Sequence, residues 1–223
     1  MAKKRVFMVM MVALLSTVFA AGVFAQVTIS GGLALSSIKN MELSGEGNIP
    51  IDTEIGIGGN LYADYLLPVG FPLSLGFEIG VDTGKFTIKY ASYDYDKDVE
   101  SVIDYQDTMT VLPLLLRVAY HFDLLANLDL YLVAKIGYAV GFWSGDFYDM
   151  LTKNSAITVG DIGGVAFGFD IGAAYYFTPV FGIFAEAGFD DYALESKISG
   201  GGWSDTLKAP FNRFLTFGIS TKF

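Results

Sequence analysis

Between Pro72 and Thr83 the chain alternates without a break. Leu73, Leu75, Phe77, Ile79 and Val81 share one face, and Ser74, Gly76, Glu78, Gly80 and Asp82 the other. A period of two is the signature of a strand with two different sides. The same pattern sets Ile55, Ile57, Leu61, Ala63 and Tyr65 against Gly56, Gly58, Asn60, Tyr62 and Asp64. It also sets Val165, Phe167, Phe169, Ile171, Ala173 and Tyr175 against Ala166, Gly168, Asp170, Gly172 and Ala174. Eight such segments are predicted, at 27–38, 54–66, 72–83, 107–121, 128–141, 163–177, 180–191 and 210–223. Each is about as long as a tilted strand needs to be to cross a bilayer.

The connections alternate too. Those after the second, fourth and sixth segments are short: Leu67 to Phe71, Asp123 to Asn127, and Thr178-Pro179. The odd ones are long and carry most of the charge outside the strands. Short turns at one end and long loops at the other describe an up-and-down barrel, and an even strand count lets it close without exposed edges. A water-soluble barrel would turn its polar phase outward. Here that phase is mostly Gly, Ala and Ser, a poor coat for water, so the bulky apolar phase is assigned to lipid. Tyr65, Phe71, Tyr120, Phe122, Tyr175, Tyr176, Phe177 and Phe181 gather beside the short turns, where an interfacial girdle belongs.

The final strand runs Leu215, Phe217, Ile219, Thr221 and Phe223 along one face and stops on that phenylalanine. A terminal amphipathic strand closing on Phe resembles the signature of bacterial outer-membrane barrels. With the run Leu112-Pro113-Leu114-Leu115-Leu116-Arg117-Val118-Ala119-Tyr120, the whole pattern resembles small barrels of the OmpW/OmpX/OmpA-domain type. The resemblance implies an all-β, eight-stranded antiparallel up-and-down transmembrane β-barrel in the bacterial outer membrane. Its long loops would be extracellular and both termini periplasmic. It further implies outer-membrane lipid as surroundings and assembly machinery that reads the last strand through Phe223. The OmpW likeness implies a narrow channel for small, in part hydrophobic, solutes.

The first residues fit export. Lys3, Lys4 and Arg5 precede an apolar run from Val6 to Ala20, and Val23-Phe24-Ala25 offers a cleavage site. The expected division is a signal peptide, 1–25, and a barrel, 26–223. Removing those three cations from 14 leaves 11 Lys and Arg against 24 Asp and Glu, a net charge of −13. Such a chain repels nucleic acid, and that partner class is set aside. Cysteine is absent, which removes disulfides, thiolate metal sites and a cysteine nucleophile. No cofactor or metal ligand set is expected.

Candidate chemistry lies on the inward phase. Asp64, Glu78, Asp82, Asp170, Glu186 and Asp190 face Arg117, Lys135 and Lys222. Buried charges must pair, so these are expected to form one network. It would either plug the barrel or line and constrict a channel, with Leu66, Leu115 and Phe184 as apolar lining. Inward glycines either leave a cavity or make room for tyrosines such as Tyr62 and Tyr131 reaching across. His121 is the only histidine. Strand direction puts it at the periplasmic end, whereas outer-leaflet lipid enzymes keep their site at the external rim, so no catalytic role is expected. Asp94, Asp96 and Asp98 lack the glycine and the glutamate of a calcium loop. Residues 84–106 and 142–162 are read as loops. They carry the alternative function, a closed barrel that meets host or surface ligands through them.

Overall fold

The computed structural model describes residues 26–44, 47–49, 51–68, 71–94, 99–153 and 157–223. The expected signal peptide, the tip of the acidic tyrosine-rich run 93–100 and part of the first short turn lie outside them. Eight long strands close into a ring. In chain order they are β1 (Val27–Ile38), β5 (Gly56–Leu66), β6 (Leu73–Asp94), β7 (Val99–Leu125), β8 (Leu128–Gly145), β10 (Ile162–Tyr176), β11 (Phe181–Tyr192) and β14 (Phe211–Lys222). Each pairs antiparallel with the next, and β14 closes on β1. The seam is tied at its end by Phe223 N–H to the Val27 carbonyl at 2.9 Å. All eight expected strands are present, in the expected phase over most of their length.

The loops are more ordered than the sequence suggested. β6 and β7 run past the predicted strand ends as one long hairpin, paired from Leu73–Tyr120 to Asp94–Val99. The other long connections hold β2 (Met41–Leu43), β3 (Gly47–Ile49), β4 (Ile51–Thr53), helix α1 (Asp146–Lys153), β9 (Ile157–Val159), β12 (Glu195–Gly200) and β13 (Trp203–Lys208). These extend the sheet beyond the barrel at one end, called here the extended end. The other end carries the short turns.

Apolar side chains stand on the outside of the ring. Leu33, Leu61, Leu116, Ile136, Val165, Ile171, Ile183 and Ile219 are each more than half exposed. A belt of that extent on a closed barrel is a surface for hydrocarbon. On β6 the inward phase continues past Asp82 but its chemistry inverts: Phe86 and Ile88 stand on the inner face, and Lys85 and Lys89 on the outer. That inversion marks where lipid gives way to water. Among the girdle aromatics, Tyr120, Phe122, Tyr175, Phe177 and Phe181 face out. Tyr176 does not; it is buried inside and bonds Ser220.

Candidate functional site: a layered barrel interior

Inward residues of each strand enter the same layers in the same order. Along β7, from the turn end, they are His121, Ala119, Arg117, Leu115, Pro113, Val111 and Met109; along β8, Asp129, Tyr131, Val133, Lys135, Gly137, Ala139, Gly141 and Trp143. The lowest layer is a cavity of about 270 Å³ at the turn end, bordered by His121, Asp129 and Lys222. Above it lies an aromatic layer that includes Tyr62, Tyr131, Tyr176 and Phe184. An ionic layer follows. Above the ions, Phe86, Met109, Leu115, Trp143, Ile162, Leu194 and Phe211 form an apolar core like that of a water-soluble protein.

The ionic layer spans the barrel wall to wall. Arg117 takes Glu186 in a fork (Nη2 to Oε1 2.6 Å, Nη1 to Oε2 3.3 Å), Glu78 at 2.7 Å and Asp64 at 3.2 Å. Its guanidinium also stacks 3.8 Å from the Tyr62 ring. Lys135 Nζ meets Asp170 at 2.5 Å, Asp190 at 3.1 Å, Glu186 at 3.3 Å and Glu78 at 3.4 Å. Arg213 binds Glu78, donates to Asp190 at 2.5 Å and lies 3.9 Å from Asp82. Tyr131 and Tyr192 hydroxyls donate to Glu186 and Asp82, and Asn60 donates to Glu78. None of these nine charged residues is more than 6% exposed.

Eight of the nine residues expected to form a network meet there. Lys222 does not: it lies two layers lower, at the turn-end cavity, 5.5 Å from the centre of the Tyr176 ring. Its place is filled by Arg213, which strict alternation puts on the lipid face with Leu215 and Phe217. A bulge between Arg213 and Leu215 shifts the register against both neighbouring strands and turns the arginine inward. An arginine on a nominal lipid face was the signal that a bulge must intervene, because charge there is costly. The three candidate lining residues are also separated. Leu66 borders the turn-end cavity, Phe184 sits in the aromatic layer and Leu115 in the apolar core.

The inward glycines leave no bore. A Cβ on Gly172 would stand 2.1 Å from the Tyr131 ring, one on Gly168 1.9 Å from the Asp190 carboxylate, and one on Gly76 2.0 Å from that of Asp64. Each of these three glycines is a slot for a neighbouring strand's side chain. Gly172→Ala should therefore displace the ring that holds Glu186 and cost about 1–3 kcal/mol in urea unfolding. An unchanged midpoint would mean that the ring has room to move.

One wall feature stands level with the top of the ions. The β6–β7 ladder lapses where Gly80 and Val81 stand opposite Pro113 and Leu112, while Pro113 stays paired with Ala139 of β8. Proline has no N–H to give β6. A Cβ on Gly80 would lie 3.1 Å from the Pro113 ring and 3.3 Å from Arg213 Nη1.

Fold, lipid-facing belt and polar interior define a small transmembrane β-barrel of the outer-membrane type. No protein-family model matches the chain, and no curated protein matches it in sequence. Among solved structures, OprG from Pseudomonas aeruginosa aligns with 89% of this chain and 96% of its own, at TM-score 0.56 and 15% identity. AlkL aligns over 89% and 90% (TM-score 0.46, 15% identity), and Neisserial surface protein A over 90% and 99% (TM-score 0.45, 15% identity). At these identities the likeness is one of fold.

Proposed function

We propose that this barrel passes small apolar molecules from its extended end into the bilayer and gives water and ions no path. The extended end faces the outside of the cell, both termini lie in the periplasm, residues 1–25 are removed on export, and Phe223, exposed at the end of β14, addresses the chain to its assembly machinery. The observation that carries the reading is the lapse in the β6–β7 ladder at Pro113. It lies where an apolar upper interior meets a closed ionic layer, so a solute entering from above finds ions below and a weakened wall beside it. The channel is then lateral, and Leu115 belongs to its lining while Leu66 and Phe184 do not.

Reconstituted in planar bilayers, the protein should pass no ionic current. In liposomes it should speed uptake of a hydrophobic fluorophore, and Pro113→Val, which restores a ladder donor, should return uptake to the protein-free rate. Discrete current steps, or uptake indifferent to Pro113, would overturn the proposal. The ordered extended end favours a second reading, contact with a surface ligand through β12, β13 and α1. Deleting 195–208 while the barrel still folds should then abolish cell-surface attachment; retained attachment would remove that reading.

A further inference from the structure

We propose a second, independent site at the turn end: a serine nucleophile, Ser74, activated by His121 and Asp129, that cleaves small carboxylic esters. The three residues come from β6, β7 and β8 and all point into the barrel. Ser74 Oγ lies 2.9 Å from His121 Nε2, and His121 Nδ1 lies 2.9 and 3.0 Å from the two oxygens of Asp129. A carboxylate can only accept there, so Nδ1 carries the hydrogen. In the neutral ring Nε2 is then bare and accepts the hydrogen of Ser74. This is the tautomer and the order of roles that nucleophilic catalysis by serine requires.

Geometry alone would also suit a structural hydrogen-bond chain, but this chain opens on a space. Ser74, His121 and Asp129 border the 270 Å³ cavity together with Gln26, Leu66 and Lys222. That volume is near the lower end of ligand sites, about 300–1,000 Å³, and it fits a short acyl ester rather than a whole lipid. Amides of the barrel wall are engaged in the sheet, so an oxyanion must be met by side chains. The Lys222 ammonium and the Gln26 carboxamide supply donors of that kind on the same cavity. Lys222, which stands apart from the ionic layer, thereby gains a role.

The step balances without a cofactor. Ser74 Oγ attacks the ester carbon as His121 Nε2 takes its proton. The tetrahedral intermediate expels the alkoxide, which leaves as alcohol with that proton. Water then adds to the acyl-serine, gives its proton to Nε2, and collapse frees the acid and returns the proton to Ser74. Asp129 is a positioning residue, holding the ring and its tautomer.

The test uses the folded barrel in detergent micelles, with p-nitrophenyl acetate as substrate and a fluorophosphonate as covalent probe. The expected result is ester turnover and a single adduct, located on Ser74 by peptide mass spectrometry. Ser74→Ala and His121→Ala should lose both, and Asp129→Asn should slow labelling by about 10³–10⁴-fold, with partial rescue in Asp129→Glu. Heat-modifiable migration on gels reports that each variant is folded. An unlabelled, inactive wild type, or labelling that survives His121→Ala, overturns the proposal. Neither result bears on uptake through the Pro113 wall.

Discussion

Arg117→Met is expected to lower the folding stability of the barrel by about 3–5 kcal/mol, the cost of removing one partner from a buried ion pair. Urea titration of the protein in lipid vesicles, followed by gel migration, measures it. The arginine touches Asp64, Glu78 and Glu186. Without it the layer holds six carboxylates against Lys135 and Arg213 in a space water does not reach. The loss measures the orphaned carboxylates rather than the worth of the pairs, because a layer exchanged as a whole for apolar side chains can be as stable. Adding Glu186→Gln to Arg117→Met should therefore recover part of the loss. A double variant as unstable as the sum of its two singles would show that the carboxylate is not what suffers. What the ions add is alignment: Glu78 binds Arg117, Lys135 and Arg213, from three different strands, and a slip in register would scatter them.

How far the chain can be read without its structure follows from what alternation encodes. Parity tells which side of a strand a residue takes, and it placed Asp64, Glu78, Asp82, Arg117, Lys135, Asp170 and Glu186 inside. It carries no depth. Lys222 and Arg117 have the same inward sense yet lie in different layers, and Leu66, Leu115 and Phe184 in three. Parity also fails across a bulge, which is why Arg213 was hidden. The extended hairpin was legible in principle: Phe86 and Ile88 alternate with Lys85, Thr87 and Lys89. There the apolar phase points inward, the reverse of the lipid-facing segment before it. Reading one phase as lipid throughout turned this strand into a loop. Gly172 and Gly76 were ambiguous for another reason, since only the packed neighbours show whether a missing side chain leaves a void. Ser74, His121 and Asp129 are spread over three strands, and only the stagger between those strands brings them into line.

The extended end offers the next largest expected effect. Asp107 is buried on β7 and accepts three hydrogen bonds: Trp143 Nε1–H at 2.6 Å, Phe147 N–H at 2.9 Å and Tyr148 N–H at 3.0 Å. The last two are first-turn donors of α1, so a residue from a different strand caps this helix. Gly145 brings the helix in at φ 142°, and a Cβ there would stand 2.3 Å from the Asp107 carboxylate. Asp107→Ala removes the cap and leaves the indole N–H unpaired, a loss of about 2–4 kcal/mol from bonds to a charged acceptor and a desolvated donor. α1 should then detach from the hairpin and wet Trp143. In a Trp203→Phe background, emission from Trp143 should shift to the red, with a lower urea midpoint for that signal than for gel migration. Asp107→Asn, which keeps one acceptor oxygen, should fall between. Coincident midpoints would mean that the extension and the barrel unfold as one unit. A separate, earlier transition would mean that α1 and its neighbours form a surface that loosens without opening the barrel beneath, as contact through this end requires.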